Sequence, residues 1–160
     1  MPAPSDLAIS RIGPDSDVLL RNLFEHYVHD MTEWFEIDTQ ADGSYSYDTS
    51  AIWSRGSTVY LAKVGDSIAG FAVTGLADGV HDMNEFFVLR RFRRRGFGAR
   101  MAALIWDACP GEWEVRVLED NAPAVLFWRA AISRQSGGVY SEEERTVNGS
   151  PWRHFRWRGV

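Results

Sequence analysis

Six arginines stand beside two glycines in the segment RRFRRRGFGAR, residues 90–100. No acidic residue interrupts the segment, and an apolar run, EFFVL, leads into it. Glycines let a backbone approach an anion closely, guanidinium groups bind phosphate oxygens, and the free N–H groups of a helix start favour negative charge. If a strand ends at the arginines and a helix begins near Gly96, the segment predicts a site for a diphosphate.

Two common phosphate-binding motifs do not fit these glycines. The P-loop of nucleotide triphosphatases requires G-x-x-x-x-G-K-[ST], and no Lys-Ser or Lys-Thr follows here. The dinucleotide fingerprint G-x-G-x-x-G requires a third glycine at the position of Met101. A solvated basic surface and an ordinary tight turn at Gly96 and Gly98 are the simpler alternatives.

The elements that would position this segment follow from hydrophobic periodicity. Strands are predicted at 7–12, 58–64, 67–76, 82–89, 113–118, 137–143 and 151–158, and helices at 17–29, 97–108 and 121–132. The acidic, aromatic stretch between them, residues 30–57, predicts loops and a short helix near 32–35. The strand at 82–89 is almost continuously apolar, which is typical of a central strand. This order predicts one α/β domain of the α+β type over residues 1–160, with a mixed, largely antiparallel sheet.

Charge and composition limit the class of protein. The net charge is −5, and outside residues 90–100 the chain carries 11 basic against 22 acidic side chains. One basic segment in an otherwise acidic chain favours a local anion-binding site over a broad surface for nucleic acid. The single cysteine excludes an intrachain disulfide, and no signal peptide or membrane-spanning run is evident, so a cytoplasmic protein is expected.

The motif Arg93-x-x-Gly96-x-Gly98 resembles the acyl-CoA pyrophosphate motif, [Gln/Arg]-x-x-Gly-x-[Gly/Ala], of the GNAT superfamily of N-acyltransferases. A second family element is an Asn that begins the next helix, followed by an Ala and an aromatic pair; here these are Asn121, Ala124 and Phe127-Trp128. The order of elements extends the resemblance over almost the whole chain. It implies the GNAT fold, a single sheet of about six to seven strands with helices on both faces, and acetyl-CoA as cosubstrate without a metal.

The resemblance also implies which residues bind acetyl-CoA. The pantetheine arm would lie along the backbone of Phe86, Phe87 and Val88, where an N–H group would also polarise the thioester carbonyl. Arg91 or Arg100 would be in reach of the 3′-phosphate. The diphosphate would be held by the turn and the helix start, whose residues are Arg93, Arg94, Arg95, Gly96, Phe97, Gly98, Ala99 and Arg100.

An amine acceptor must lose a proton before it can attack a thioester, because an ammonium has no lone pair. Glu85 is the predicted base, since related enzymes often place an acid at this point of the central strand. A surface acid or a charge that only orients the acceptor are the alternatives for Glu85. His81 is a second candidate base.

The chain departs from the family at Trp128. Many members have a tyrosine there, whose hydroxyl protonates the departing thiolate, and an indole N–H is far too weak an acid for that step. Tyr140, another tyrosine or water would have to replace it. Trp128 is expected to pack against pantetheine or the core, and Asn121 to bond the pantetheine arm or simply to cap its helix.

The segment after the first strand generally builds the acceptor groove in this fold. Here it carries seven acids, with Arg55 as the one fixed positive charge between residues 22 and 57. An acidic groove favours a cationic acceptor such as a polyamine, an aminoglycoside-like amine or a lysine-bearing peptide, whereas a solvated acidic face over core aromatics is the simpler alternative. The acids are Glu25, Asp30, Glu33, Glu36, Asp38, Asp42 and Asp48, and the candidate aromatic walls are Tyr27, Trp34, Phe35, Tyr45 and Tyr47.

Two hypotheses follow for the function. The first is an N-acetyltransferase that transfers acetyl from acetyl-CoA to a cationic primary amine by direct attack in a ternary complex. The second is a noncatalytic module of the same fold that binds CoA as a sensor. Neither nucleic acid nor a membrane is an expected partner, and a homodimer is compatible with the sequence.

Overall fold

One seven-stranded sheet organises the chain, in a computed structural model that describes residues 1–159. Its strands are β1 (Leu7–Ile12), β2 (Thr58–Val64), β3 (Ser67–Ala77), β4 (Val80–Val88), β5 (Gly111–Leu118), β6 (Ser141–Val147) and β7 (Ser150–Gly159). The helices are α1 (Asp17–Met31), α2 (Ser50–Ser54), α3 (Phe97–Ala108) and α4 (Ala122–Gln135). None of the helices in the described chain is long and apolar enough to cross a membrane.

The sheet is mixed and mostly antiparallel, which confirms the predicted fold class. The strands lie in the order β1-β2-β3-β4-β5-β7-β6. β4 and β5 run parallel, and the other neighbouring strands of residues 1–159 pair antiparallel. The apolar strand expected at the centre is β4, the fourth of the seven. Its two sides face different neighbours, β3 and β5.

Helices cover both faces of the sheet, as predicted. On one face, Phe97 and Ile105 of α3 share a core with Trp113 of β5. On the other face, Phe24 of α1 packs against Phe71 of β3, with ring centroids 4.8 Å apart. Full burial of one large apolar side chain contributes about 1.5–3 kcal/mol to the stability of a fold. The side chains buried on both faces therefore stabilise the packing of the helices on the sheet.

The C-terminal hairpin begins later than predicted. The strand expected at 137–143 is β6, four residues further on, because α4 continues to Gln135 and is followed by Gly137 and Gly138. Both glycines have left-handed backbones, with φ of +61° and +83°. A left-handed glycine after the last turn is a common helix ending, so these residues end α4 and are not part of a strand.

The segment between α1 and β2 also differs from expectation. Residues 32–35 form turns that continue from α1, with the N–H of Trp34 bonded to the carbonyl of Met31 at 2.9 Å, and they do not form a separate helix. The helix of this region is α2. The remainder is a long connection, which we call the acceptor loop, residues 32–49.

Candidate active site

A β-bulge in β4 determines where Glu85 points. Residues 83 and 85 are matched to consecutive residues of β3, so that Asn84 is an extra residue in the strand. Met83 is therefore buried under α3 and α4, whereas Glu85 reaches Tyr27 of α1 on the opposite face. Bulges commonly re-aim a side chain next to an active site. Without the bulge, Met83 and Glu85 would share a face.

β4 and β5 separate after three paired residues. Val80–Asp82 pair with Glu112–Glu114, and within the described chain no pairing continues from there. The far side of β5 stays paired with β7 along its whole length, and β3 covers the far side of β4. Residues 83–88 therefore keep one open backbone edge, to which an extended ligand can bind as an additional strand.

A cavity of about 510 Å³ occupies the gap between the two strands. Phe86 and Trp128 line it from the α4 side, and Tyr27 and Glu85 line it from the α1 side. It therefore connects the two faces of the sheet, and its volume is that of a small-molecule site. Two reactants entering from opposite faces can meet beside Glu85.

The hydroxyl of Tyr27 donates a 2.6 Å hydrogen bond to Oε2 of Glu85. Burial raises the pKa of Glu85; the bond from Tyr27 opposes this rise, and the nearby Asp82 adds to it. A carboxylate with a raised pKa is a better proton acceptor. Burial and the neighbouring Glu85 also raise the pKa of Tyr27 well above 10, so Tyr27 holds its proton in this bond.

The three residues that follow Glu85 alternate between the two cores. Phe86 and Val88 pack on the α3 and α4 side, and Phe87 is buried on the α1 side. Phe86 lines the cavity. The backbone of all three belongs to the part of β4 that has no strand beside it toward β5, so it is placed to bond an extended ligand.

The backbone turns sharply between β4 and α3. Arg94 and Gly96 are both left-handed, with φ of +57° and +80°, and α3 begins at Phe97. The N–H of Arg100 bonds the carbonyl of Gly96 at 3.0 Å, and the amides of residues 97–99 come before the first residue that has a helical partner. Free amides at such a turn and at a helix start form an anion site. The predicted diphosphate site therefore has suitable backbone geometry.

The side chain of Arg93 is bound within the protein. Its Nε donates to the carbonyl of Val88 at 2.6 Å, its guanidinium pairs with Asp30 of α1, and its charge lies 5.3 Å from the ring centroid of Phe87. These contacts brace the turn against β4 and α1.

The other arginines of the turn fall into two groups. Arg90 pairs with Asp30 at 2.8 Å, and Arg95 donates to the carbonyl of Pro2 at 2.9 Å. The second group is exposed and has no carboxylate within 4.0 Å among residues 1–159, so its charges are available to ligand phosphates. Its members are Arg91, Arg94 and Arg100.

Gly98 is a contact point between α3 and α4. A Cβ at this position would lie 3.2 Å from Cε2 of Phe127 and 3.6 Å from Cγ2 of Val88. The ring of Phe127 lies 5.8 Å from that of Phe86, which lines the cavity. Because Gly98 has no side chain, the anion-binding turn and the first turn of α3, which contains Ala99, can lie close to the α4 side of the cavity.

Asn121 and Trp128 lie on the cavity wall. Asn121 caps α4, since its Oδ1 accepts from the N–H of Ala124 at 3.2 Å, and its Nδ2 has no partner in the described chain. Trp128 is 7% exposed and packs edge-on against Phe86 at 4.8 Å. Its indole N–H has no acceptor among residues 1–159. Both side chains can donate a hydrogen bond into the cavity.

Two alternative catalytic candidates lie away from the cavity. His81 stacks on Trp113 with ring centroids 4.8 Å apart, and Tyr140 packs against Phe155 at 6.2 Å. Neither lines the gap between β4 and β5. The expectation that His81 or Tyr140 could act at the reacting centre is therefore not supported by their positions.

The expected acidic acceptor groove is not present at this cavity. Glu25 accepts from the backbone N–H groups of Tyr45 and Ser46 at 2.8 and 3.0 Å, and Asp30 pairs with two arginines. The other acids cap turns or line an adjoining hollow of about 420 Å³, which the acceptor loop forms and which shares Phe35 and Ile37 with the cavity. These are Glu33, Glu36, Asp38, Asp42 and Asp48.

Most of the aromatic side chains expected at the acceptor groove do lie at the cavity. Four of the five predicted aromatic residues line the cavity, and Trp34 does not. Sequence reasoning missed Arg116 of β5 and Trp152 of β7, which also line it. Trp152 pairs with Leu118 across β5 and β7, a neighbourhood that depends on strand order and has no local signal. The four are Tyr27, Phe35, Tyr45 and Tyr47.

The model of the acetyltransferase (GNAT) family matches residues 22–131. Three solved structures share the fold: a spermidine N-acetyltransferase from Vibrio cholerae in complex with CoA and spermine (TM-score 0.66, 12% identity, 97% of this chain and 96% of that one), an acetyltransferase from Bacillus subtilis in complex with CoA (0.61, 12%, 96% and 99%), and a GNAT acetyltransferase from Bacillus cereus (0.62, 12%, 96% and 98%). No curated protein matches the sequence significantly.

Proposed function

The chain belongs to the acetyltransferase (GNAT) family, and we propose that it transfers an acetyl group from acetyl-CoA to a primary amine. The observation that carries this proposal is the cavity between β4 and β5. It has a partly buried carboxylate, Glu85, on one face of the sheet and is next to the amide-rich turn before α3 on the other.

The turn and the open edge of β4 would bind acetyl-CoA, which supplies the thioester. The diphosphate would bind to the amides of residues 97–99. The remaining phosphate would bind to Arg91, Arg94 or Arg100. The pantetheine arm would bind along the backbone of residues 86–88. Asn121 and Trp128 would donate to that arm from the α4 side. Similar folds solved with CoA support this choice of donor.

Glu85 would take the proton that the ammonium of the acceptor must lose, directly or through one water. The acceptor would enter from the α1 side, where Glu85 faces Tyr27. A spermidine acetyltransferase among the similar folds supports a cationic primary amine as acceptor. The thiolate would take its proton from solvent, because a thiol pKa of about 8.5 makes a dedicated acid less necessary.

A noncatalytic CoA-binding module is the second candidate, and Trp128 at the position of the family tyrosine favours it. Thiol release from acetyl-CoA across a panel of amines separates the two. The acetyltransferase predicts amine-dependent release. The binding module predicts a raised melting temperature with acetyl-CoA and no release with any amine.

A further inference from the structure

We propose that the acceptor is a primary amine carried on an aromatic or similarly flat apolar body. This inference rests on the acetyltransferase activity proposed above and narrows its substrate. Three features of the α1 side of the cavity carry it: the carboxylate of Glu85, the apolar wall and the anchoring of that wall.

The cavity offers one place for an ammonium group. Of the side chains that line it within residues 1–159, Glu85 and Arg116 are the ones with a formal charge. Oε2 of Glu85 accepts from Tyr27, and its other oxygen has no hydrogen-bond partner in the described chain. A buried ammonium needs an opposite charge beside it, and Glu85 provides that charge once.

The opposite wall is apolar and accessible. Phe35, Ile37 and Tyr47 are 37–39% exposed, and all three line this cavity. The ring of Trp152 lies 6.3 Å from that of Phe35, so β7 and the acceptor loop present aromatic surface together. Exposed apolar side chains gathered at a concave surface mark a ligand-binding groove.

The wall is held in place before any ligand binds. Both carboxylate oxygens of Glu25 accept backbone N–H groups of the acceptor loop, at Tyr45 and Ser46. Tyr47 stacks on the buried ring of Phe24 with centroids 4.3 Å apart. Glu25 and Phe24 thus hold in place the loop that carries the aromatic rings. Because the apolar wall is already arranged, a flat ligand binds to it with a smaller loss of conformational entropy.

The test is a kinetic comparison of four acceptors with acetyl-CoA: 2-phenylethylamine, n-butylamine, spermidine and a lysine-containing peptide. We expect kcat/KM for 2-phenylethylamine to exceed each of the others by about tenfold or more. A higher or equal value for spermidine or for the peptide overturns this inference and leaves the acetyltransferase proposal intact. Absence of thiol release with every amine overturns both.

A pair of variants tests the wall itself. Phe35→Ala removes a partly exposed ring from the cavity, and Trp34→Ala removes the neighbouring aromatic side chain, which lies outside it. We expect Phe35→Ala to raise KM for 2-phenylethylamine about tenfold while KM for acetyl-CoA and for n-butylamine is unchanged. Trp34→Ala should change none of them. An equal effect of Phe35→Ala on acetyl-CoA, or no effect on 2-phenylethylamine, overturns the assignment.

Discussion

The hydroxyl of Tyr27 and the carboxylate of Glu85 lie 2.6 Å apart, although 58 residues separate them in the chain. One belongs to α1 and the other follows the bulge of β4, so the bond joins the two elements that enclose the α1 side of the cavity. Phe71 and Phe87 pack on the ring of Tyr27 at 5.7 Å. This packing fixes the direction of the bond to Glu85.

Tyr27→Phe should move the acidic limb of the kcat/KM profile to higher pH. The lost bond favoured the carboxylate, so its removal raises the pKa of Glu85 further, and activity then falls at a higher pH on acidification. Tyr45→Phe is the control, since the Tyr45 hydroxyl bonds His29 at 3.0 Å and not Glu85. A limb that stays in place in Tyr27→Phe, or moves equally in both variants, contradicts this role.

Glu85→Gln should lower kcat by about 10²–10⁴-fold, because the amide cannot accept the acceptor's proton. The rise in melting temperature caused by acetyl-CoA should be unchanged, since Glu85 faces the α1 side. Glu112→Gln is the control for loss of a carboxylate, because Glu112 lies near the start of β5 and does not line the cavity. Retained activity in Glu85→Gln at every pH would remove Glu85 as the base.

Gly98→Asp should abolish stabilisation by acetyl-CoA, which at 100-fold the dissociation constant is about 2.7 kcal/mol for the unchanged protein. The new Cβ would press on Phe127 and contact Val88, and the added carboxylate would bring a negative charge close to the diphosphate site. Gly13→Asp is the control, because a Cβ there meets nothing within 4 Å. Thermal unfolding with and without acetyl-CoA measures both, and full stabilisation of a folded Gly98→Asp would contradict the placement.

Arg100→Ala should weaken binding of acetyl-CoA by roughly tenfold, the loss of one charge-assisted hydrogen bond. Arg90→Ala is matched to it, since Arg90 is exposed but already pairs with Asp30. Calorimetry with acetyl-CoA and with its 3′-dephospho form shows whether Arg100 contacts the 3′-phosphate or the diphosphate. If Arg100 binds the 3′-phosphate, the variant and the unchanged protein will bind the dephospho form equally. Unchanged affinity for both ligands would place Arg100 outside the site.

Asp30→Asn should destabilise the fold by about 1–2 kcal/mol at neutral pH, allowing for the solvent exposure of its arginine partners. Burial raises the pKa of Asp30, but the hydrogen bonds from Arg93 and Arg90 outweigh it and the pKa is lowered. The contribution is therefore complete above the ordinary aspartate pKa and is lost as pH falls through the lower folded value.

Urea unfolding from pH 7 downward measures this difference between Asp30→Asn and the unchanged protein. Asp66→Asn, in the turn between β2 and β3, has no ion pair among residues 1–159 and serves as control. A difference that is the same at both ends of the pH range would show that Asp30 does not act through its charge.

The parts of the site that were predictable depend on local pattern. Glycines 96 and 98 between an apolar strand and an amphipathic helix identify the turn, and Glu85 is recognisable from its place at the start of FFV. The acids expected at an acceptor groove do not line the cavity, and sequence could not show this because the partners that hold two of them are distant in the chain. Glu25 bonds the backbone 20 residues on, and Asp30 bonds Arg93, 63 residues on. Composition cannot distinguish an acid that faces a ligand from one that holds a loop.

The most direct test of the central claim is thiol release from acetyl-CoA by the purified chain, measured together with the acetylated amine. We predict that release requires a primary amine, that one N-acetylated amine forms for each thiol, and that Glu85→Gln loses both while acetyl-CoA still raises its melting temperature. Binding of acetyl-CoA by the unchanged protein without thiol release, for any amine supplied, would contradict the account.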